Sequence, residues 1–319
     1  MLIDQFAEML RCPVCGACLR RLPNALQCTA DGCAVVFPIV DGIPILLNES
    51  RSLFCIDDFV QRRETFFKGA SNVIRRVDRL IPSTSANLTA TDNYKYLRSQ
   101  IRRRGRRPTV LVIGSGVEGD GIEVLLRARD TTLIETDVAL GPRTGLVCDA
   151  HDLPFAAETF DCVVAQAVLE HVLDPQRCVA EIYRVLKQDG LIYAETPFMQ
   201  QVHGGRYDFT RFTPLGHRRL FRCFEELRSG ASSGPGQALA WSVQYFCLGL
   251  ARGRTSRLVC NALGRVLGFP WKYADRYFIT REPALDGASG VFFIGRKSQS
   301  VLSDRDLVTQ YRGGEYLAR

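Results

Sequence analysis

The sequence has little that indicates export or membrane insertion, and we expect neither a secretory leader nor a segment that spans a bilayer. It opens with residues MLIDQF, which have no basic start followed by a long apolar stretch. The apolar tract at 238–251 is too short to cross a membrane. No internal repeat or low-complexity tract is present. We therefore expect a cytoplasmic globular protein without a transmembrane segment.

The chain also lacks a large net charge, since the formal value is only +7 over 319 residues. The hydrophobic fraction of 46% is enough for one main domain and a small accessory domain. Much of the positive charge lies in five arginines within residues 102–107. A solvated linker or helix end is the favoured interpretation of this cluster, and an anionic partner such as RNA is the alternative. Nothing indicates a DNA partner.

Cysteine is the residue type in excess, with twelve in the chain. Without an export signal, metal ligands and buried thiols are favoured over disulfides. Cys12 and Cys15 form a C-x2-C pair, and Cys28 and Cys33 form a C-x4-C pair. Four thiolates in this arrangement predict a structural Zn²⁺ site, whose binding would supply folding free energy. A redox or disulfide pair is the alternative, and Cys18 is a spare thiol that could replace one ligand.

The cysteine segment leads into an Asp-Gly-Ile-Pro turn at 41–44. In this respect it resembles the small zinc-ribbon activator protein of tRNA and release-factor methyltransferases. The second cysteine pair differs, since that family usually has two residues between these cysteines. The resemblance implies a zinc-ribbon domain at 1–50 and a protein partner that binds through it. Amphipathic patterns at 59–63 and 73–77, a break at 82–85 and a helix at 94–101 predict a basic helical connector over 51–107.

The run Thr109–Ile113 is aliphatic and β-branched throughout, which is typical of a strand covered on both faces. A glycine-rich turn follows, and a helix is predicted from Ile122. The turn contains Gly114, Ser115, Gly116, Gly119 and Gly121. A strand, then glycines, then a helix predicts a nucleotide-cofactor site.

Acidic residues end the next two predicted strands. Asp137 follows the strand at 133–137 and is the first candidate for binding a ribose, with Glu135 as the lesser one. Asp149 follows the strand at 146–148 and could accept a hydrogen bond from an adenine amine. A turn or helix-capping role is the alternative for each aspartate.

The turn at 114–119 also fits the G-x-G-x-x-G dinucleotide fingerprint, and Asp137 fits the ribose acid of that motif. A nicotinamide oxidoreductase is therefore an alternative. The later motifs Leu-Pro-Phe at 153–155 and Leu-Glu-His at 169–171 have no role in that class and weigh against it.

Four motifs together resemble class I S-adenosylmethionine-dependent methyltransferases over residues 109–213. They lie at 149–155, 160–161, 169–171 and 186–190. The resemblance implies an α/β fold with a Rossmann-like seven-stranded sheet over 108–300, and S-adenosylmethionine as cofactor. It places Gly114 and Gly116 beside the methionine part, Asp137 on the ribose, Asp149 and Ala150 at the adenine, and Gln166 near the amino-acid portion.

The segment 203–214 is similar to a His-to-Arg-Phe-Thr stretch that borders the methyl-acceptor site of many bacterial methyltransferases. His203 and Asp208 are therefore candidate catalytic bases, and the alternative is that they only order the loop. His151 and His171 are predicted to be structural, and His217 to lie on the surface.

Residues 224–230 predict a sixth strand and residues 290–295 an antiparallel seventh. The intervening segment 231–283 is then an insertion over the acceptor site, and 301–319 is a C-terminal tail. Five apolar residues of the insertion could line a substrate cavity, the alternative being ordinary helix core. They are Trp241, Tyr245, Phe246, Leu248 and Leu250.

The sequence thus predicts a methyltransferase that acts on a small molecule, glycan or lipid intermediate. Two alternatives stay open. One is a non-catalytic, cofactor-binding subunit of a heteromeric methyltransferase, and the other is an RNA methyltransferase acting through the arginine cluster.

Overall fold

The computed structural model describes residues 6–63, 65 and 81–314. The predicted helix at 73–77 lies outside the described residues. The strands are β1 (Leu19–Leu22), β2 (Ala25–Cys28), β3 (Val36–Val40), β4 (Ile43–Leu46), β5 (Thr109–Ile113), β6 (Thr132–Asp137), β7 (Leu146–Cys148), β8 (Phe160–Gln166), β9 (Leu186–Pro197), β10 (Phe224–Ser233) and β11 (Gly290–Lys297). The α-helices are α1 (Ile56–Val60), α2 (Ala90–Ile101), α3 (Glu123–Leu126), α4 (Pro175–Val185), α5 (Pro214–Leu220), α6 (Pro235–Gly249), α7 (Arg254–Gly268), α8 (Asp275–Phe278), α9 (Glu282–Asp286) and α10 (Asp304–Thr309).

Seven strands form the main sheet in the order β7-β6-β5-β8-β9-β11-β10. Strands β5 to β9 run parallel to one another. Strand β11 lies antiparallel between β9 and β10. The predicted α/β class and the antiparallel last strand are therefore confirmed, whereas the sheet as a whole has more strands than the seven predicted.

The cysteine-rich segment is part of the same sheet. Strands β1 to β4 form an antiparallel meander, and β4 then pairs in parallel with β7, with Ile45 opposite Val147 and Leu46 opposite Cys148. Among the described residues, eleven strands thus make one continuous sheet. Phe37 of the meander packs in the same core as Phe160 of the main sheet. The ribbon segment is therefore built into the domain rather than tethered to it.

Helices cover both faces of the central strands, as the aliphatic sequence of β5 requires. Val110 and Val112 pack against α2 on one face, whereas Leu111 and Ile113 belong to the core that includes α4 on the other. Asp174 caps α4 as its sequence indicates, because its Oδ1 accepts a hydrogen bond from Arg177 N at 3.0 Å. The helix ends at Val185 rather than near Gly190, because the following residues join β9.

The insertion between β10 and β11 is helical. Helices α6 and α7 pack closely where α7 has glycines: a Cβ at Gly268 would lie 2.5 Å from the Ala240 carbonyl oxygen. The buried Asp275 carboxylate accepts hydrogen bonds from the backbone of Gly234, Gly236 and Gln237 and so fixes the start of α6. Within the described ranges, no helix combines the length and apolarity needed to cross a membrane.

His217 of α5 is buried, so its predicted surface position is wrong. Its ring lies 5.0 Å from that of Phe221, and Nε2 has no hydrogen-bond partner among the described residues. Burial lowers the pKa of His217 to about 3. The folded protein therefore holds this imidazole neutral at pH values where the unfolded chain would protonate it.

This burial predicts an acid sensitivity that one substitution removes. Between the ordinary histidine pKa of about 6.5 and the folded value of about 3, the unfolded chain binds the extra proton, so stability falls as pH falls. At pH 5 the cost is about 2 kcal/mol. We expect His217→Leu to lose correspondingly less stability than the wild type between pH 7 and pH 5, measured by urea unfolding. Equal losses in both proteins would contradict the prediction.

Candidate active site

The carboxyl ends of the parallel strands surround a cavity of about 540 Å³. This is the edge at which α/β sheets bind ligands. Five of the seven predicted cofactor residues line it: Gly114, Asp137, Asp149, Ala150 and Gln166. Ser115 and Gly116 lie behind the lining, where Ser115 Oγ donates to the Thr136 carbonyl at 3.3 Å.

The glycine-rich turn at 114–121 packs closely against the end of β8 and the residues that follow it. Gly114 has a φ of +77°, and a Cβ there would lie 2.5 Å from Val168 Cγ2. A Cβ at Gly119 would lie 2.2 Å from Gln166 Oε1. Gln166 Nε2 in turn donates to the Asp120 carbonyl at 3.1 Å. Glycine is therefore required where this loop meets the β8 end.

Asp137 shapes the same loop. Its Oδ2 accepts from Gly116 N at 2.7 Å and its Oδ1 from Ala139 N at 2.8 Å. Burial raises the pKa of Asp137, and these backbone hydrogen bonds oppose that rise. Each carboxylate oxygen has a further lone pair, so the group can still accept from two ribose hydroxyls. Glu135 instead pairs with Arg143, and neither residue lines the cavity.

The segment after the ribbon reaches into the cavity, which the sequence did not indicate. Ser52 Oγ donates to Asp149 Oδ2 at 2.6 Å, and Phe54 is part of the lining. His151 Nδ1 lies 2.5 Å from Asp149 Oδ1. Burial would raise the pKa of Asp149, but the hydrogen bonds from His151 and Ser52 outweigh it and lower the pKa. The cavity wall near Asp149 is thus shared by the ribbon segment and the main sheet.

A buried glutamate beside Gln166 was also missed. Glu195 Oε2 accepts from Gln166 Nε2 at 2.9 Å and from Asn87 Nδ2 at 2.7 Å, and its Oε1 accepts from the Tyr193 hydroxyl. Tyr94 donates to Gln166 Oε1 at 2.9 Å. This network fixes the amide of Gln166 at the cavity wall.

The loop that carries His203 is held by an ion pair. Asp208 accepts from the backbone N of His203 at 2.8 Å and of Gly204 at 3.1 Å, and it pairs with Arg211. Burial would raise the pKa of Asp208, but the Arg211 guanidinium outweighs it and holds that pKa well below its usual range. His203 lines the cavity and Asp208 does not.

Three side chains from two segments meet at the cavity wall beside this loop. Glu170 Oε1 lies 3.8 Å from His171 Nε2 and 3.8 Å from His203 Nε2. Glu170 is fully buried, and burial raises its pKa to about 8. Burial also lowers the pKa of His171 and of His203, so both imidazoles are neutral at pH 7. We call this group the Glu170 cluster.

The prediction that five apolar residues of the insertion line the cavity is wrong. Trp241 and Tyr245 contact the His203 loop from outside: the Trp241 ring lies 6.2 Å from that of His203, and the Tyr245 hydroxyl donates to the Val202 carbonyl. Phe246 is 73% exposed. None of the five lines the cavity formed by the described residues, whereas Gln237 of α6 does.

The ribbon thiols meet as the C-x2-C and C-x4-C spacings indicate. Among the residues that the structure describes, one group of four cysteines can hold a metal ion, and Cys18 is not part of it. The Sγ atoms of Cys12 and Cys33 are 3.8 Å apart, and those of Cys15 and Cys28 are 3.4 Å apart. Tetrahedral Zn–S bonds of about 2.3 Å place sulfurs roughly 3.8 Å apart. The four thiols therefore fit a structural zinc ion.

Comparison with known families gives the class of the main domain. Residues 69–194 match a family model described as a methyltransferase domain. The chain is 50% identical over 44 residues to the ubiquinone/menaquinone biosynthesis C-methyltransferase of Desulfotalea psychrophila. The aligned segment covers 14% of this chain and 18% of that protein. Over 43 residues it is 49% identical to 2-methyl-6-phytyl-1,4-hydroquinone methyltransferase 1 of rice, Oryza sativa subsp. japonica, which covers 14% of this chain and 13% of that protein. The chain thus spans less than a fifth of the curated relatives it matches.

Solved structures resemble the chain at low identity. The phosphoethanolamine N-methyltransferase 2 of Haemonchus contortus with bound S-adenosyl-L-methionine aligns at 16% identity and a TM-score of 0.41, over 68% of this chain and 55% of that one. A complex of the Haloferax volcanii Trm112 methyltransferase activator with a methyltransferase aligns at 17% identity and a TM-score of 0.38, over 67% and 94%.

The matched segment is similar to a methyltransferase domain, and the strand order with its antiparallel last strand agrees with the α/β fold expected for class I S-adenosylmethionine-dependent methyltransferases. In this chain that domain is joined to an N-terminal segment whose four-cysteine cluster is consistent with a zinc ribbon. The family match supports the predicted methyltransferase class with S-adenosylmethionine as its cofactor, and the four-cysteine cluster fits the predicted structural zinc.

Proposed function

We propose that the chain transfers a methyl group from S-adenosylmethionine to an acceptor bound beside the Glu170 cluster. One observation carries this proposal: five of the seven predicted cofactor residues and the Glu170 cluster line the same cavity. A donor held along the strand ends would therefore have its reactive end within reach of a second molecule. A non-catalytic subunit would not need the Glu170 cluster beside its cofactor residues.

The cofactor would lie along the ends of β5 to β8. In this proposal Gly114 and Gln166 border the methionine part, Asp137 binds the ribose, and Asp149 and Ala150 border the adenine. Ser115 and Gly116 contribute through the backbone, since Gly116 N holds the Asp137 carboxylate.

Methyl transfer from a sulfonium donor depends more on alignment of the two reactants than on acid catalysis. As the bond from the acceptor to the methyl carbon forms, the sulfur–methyl bond breaks and S-adenosylhomocysteine leaves with the electron pair. Holding the two molecules in line and excluding water would supply most of the rate. An acceptor that carries a proton would lose it at the Glu170 cluster, to which His203 belongs. We propose that Asp208 is a positioning residue, because its oxygens are engaged with the loop backbone and Arg211.

The acceptor we favour is a lipid intermediate presented at a membrane surface. The helical insertion beside the His203 loop exposes large apolar side chains among basic ones. Between 235 and 286 the sequence has seven arginines and lysines against three acidic residues. The apolar residues at least 50% exposed are Phe246, Leu250, Leu258, Val259, Leu263, Leu267, Trp271 and Tyr277. A basic surface with exposed aliphatic and aromatic residues fits an anionic lipid interface. The rice relative is named for a phytyl hydroquinone, which also carries a lipid tail.

The arginine cluster argues less for RNA. Residues 102–107 precede β5, so they lie at the amino ends of the parallel strands, and the cavity lies at the carboxyl ends. A five-residue strand separates the two by about 16 Å. Arg104 is engaged in the fold, since its guanidinium donates to the Gln188 carbonyl at 2.8 Å.

The function is tested by radiolabel transfer from S-adenosylmethionine into an extract separated into lipid, small-molecule, protein and RNA pools. Label in the lipid pool is expected. Label only in the nuclease-sensitive pool would favour the RNA alternative. Cofactor binding in calorimetry without transfer to any pool would favour the non-catalytic subunit.

The membrane surface gives a separate prediction. We expect the protein to co-sediment with vesicles of phosphatidylglycerol and phosphatidylcholine, and less with phosphatidylcholine alone. Burial of a Phe or Leu side chain is worth about 1.5–3 kcal/mol. The double variant Phe246→Ser, Leu250→Ser should therefore weaken binding about tenfold or more.

The matched control changes two exposed valines outside the insertion, Val301→Ser with Val308→Ser, and should bind as the wild type does. Equal sedimentation of all three proteins would contradict the prediction. So would concentration-dependent dimers, abolished by the Phe246 and Leu250 changes, in place of vesicle binding.

A further inference from the structure

Two buried glutamates line the cavity, and they differ in one respect. Every carboxylate oxygen of Glu195 accepts hydrogen bonds from neighbouring side chains. Neither carboxylate oxygen of Glu170 has a hydrogen-bond partner among the described residues, although the side chain is fully buried. A buried carboxylate without partners is costly and calls for an explanation.

One of the two histidines that approach Glu170 is held in the form that binds metals. His171 Nδ1 lies 2.8 Å from the Tyr207 carbonyl, which can only accept, so Nδ1 carries the proton and Nε2 the lone pair. His203 Nδ1 lies 3.4 Å from the Gln201 carbonyl, 3.5 Å from the Asp208 carboxylate and 3.5 Å from the Arg211 guanidinium. Two acceptors and one donor thus surround this nitrogen, so either tautomer of His203 finds a partner, including the one with the lone pair on Nε2. An imidazole whose other nitrogen donates to a carbonyl or carboxylate is the usual metal ligand.

The backbone holds this arrangement from both sides. Phe209 N donates to the Glu170 carbonyl at 2.8 Å, which ties the His203 loop to the segment that carries Glu170 and His171. A Cβ at Gly204 would lie 2.5 Å from His171 Cε1, so glycine there lets the loop approach the ring. A backbone hydrogen bond and a close approach at Gly204 therefore hold the three side chains together.

We propose that Glu170, His171 and His203 bind a divalent transition-metal ion, with Zn²⁺ or Fe²⁺ as the class of ion. One ligand atom from each residue lies within 4.8 Å of the others, and two of the separations are 3.8 Å. Metal bonds of about 2.0–2.2 Å to nitrogen and oxygen place ligands roughly 3–4 Å apart. A movement below about 1 Å would close the site. Two histidines and one carboxylate leave positions open toward the cavity for a further ligand.

Such an ion would bind an oxygen of the acceptor and lower the pKa of its hydroxyl, so that the proton leaves to water. The resulting anion would attack the methyl carbon while the sulfur–methyl bond breaks and S-adenosylhomocysteine leaves with the electron pair. With the ion bound, the Glu170 cluster would thus act through the ion and not as a base. This role rests on the proposed function, whereas binding of the ion does not. An acceptor with a hydroxyl or neighbouring oxygens, such as a hydroquinone, would suit the open positions.

The experiment titrates Co²⁺ into protein whose ribbon is already loaded with zinc. Cobalt reports its ligands through visible absorption, and a site of nitrogen and oxygen lacks the sulfur-to-cobalt charge-transfer band that a cysteine site shows. We expect one equivalent of Co²⁺ to bind without that band, and Zn²⁺ to displace it. Glu170→Gln should weaken Co²⁺ binding at least about thirtyfold, since the carboxylate carries the only formal charge of the ligand set.

Glu195→Gln is the matched control, because it changes the other buried glutamate of the cavity and should leave Co²⁺ binding unchanged. His203→Gln lies on the loop surface and gives a second ligand variant should Glu170→Gln fold poorly by circular dichroism. No equivalent beyond the ribbon zinc, or equal Co²⁺ affinity in wild type, Glu170→Gln and His203→Gln, would overturn the proposal. Methyl transfer without Co²⁺ or Zn²⁺ binding would overturn the metal site alone, and metal binding without transfer to any pool would overturn the proposed function alone.

Discussion

Replacing Asp137 with alanine is expected to weaken binding of S-adenosylmethionine about a hundredfold or more. The carboxylate would accept from both ribose hydroxyls while it holds Gly116 N and Ala139 N. Hydrogen bonds to a charged group contribute about 1.5–3 kcal/mol each. Since about 1.4 kcal/mol is a tenfold change in affinity, the loss of two predicts this effect even before the loop relaxes. Isothermal titration calorimetry with S-adenosylmethionine and S-adenosylhomocysteine measures it.

The control for this change is Glu135→Gln on the same strand. Glu135 pairs with Arg143 outside the cavity, so its neutral variant should bind the cofactor as the wild type does. A second variant, Asp137→Asn, keeps the volume of the side chain but adds a donor beside two backbone N–H groups, and should bind weakly as well. Tight binding by both Asp137 variants would contradict the placement of the ribose. Tight binding of NADH by the wild type would instead contradict S-adenosylmethionine as the cofactor.

The second large effect is expected at the ribbon. Cys33→Ser should remove a zinc ligand, and structural zinc contributes about 10–16 kcal/mol in small zinc-binding peptides. Because β4 pairs with β7 and Ser52 holds Asp149, loss of the ribbon should reach the cofactor site. We expect faster hydrogen exchange in β2 to β4 and β7, and cofactor affinity lower by about tenfold or more, as the Asp149 hydrogen bond and the Phe54 wall are lost.

Cys18→Ser is the matched control, because Cys18 lies in the same segment but outside the four-thiol group. Its exchange rates and cofactor affinity should equal those of the wild type. The interpretation fails if Cys33→Ser leaves exchange in β4 and β7 unchanged, or if both serine variants behave alike.

The sequence predicted those features that depend on local pattern. The five-residue run of β5 is buried throughout, and the Asp174-Pro175 pair starts α4, because strand period and helix caps are encoded within a few residues. The four-thiol group was likewise predicted, because the two cysteines of each pair are separated by only two or four residues. Only the end of α4 shifted, because pairing with β8 extended β9 back to Leu186.

Features that depend on distant contacts were not predictable. Ser52 meets Asp149 across 97 residues, and Asn87 meets Glu195 across 108. The sequence of α6 is apolar around most of the helix, so it does not show which side neighbouring elements cover. Phe246 is therefore exposed, while His217, which looked like a surface histidine, lies among phenylalanines.

The parallel pairing of β4 with β7 has a kinetic consequence. If the two segments were separate chains, their docking would follow second-order kinetics and fail at low abundance. Within one chain they meet in an intramolecular step whose rate does not depend on protein concentration. The outer hydrogen-bonding edge of β7 is then occupied as soon as the chain folds, so completing this side of the cavity requires no independent subunit.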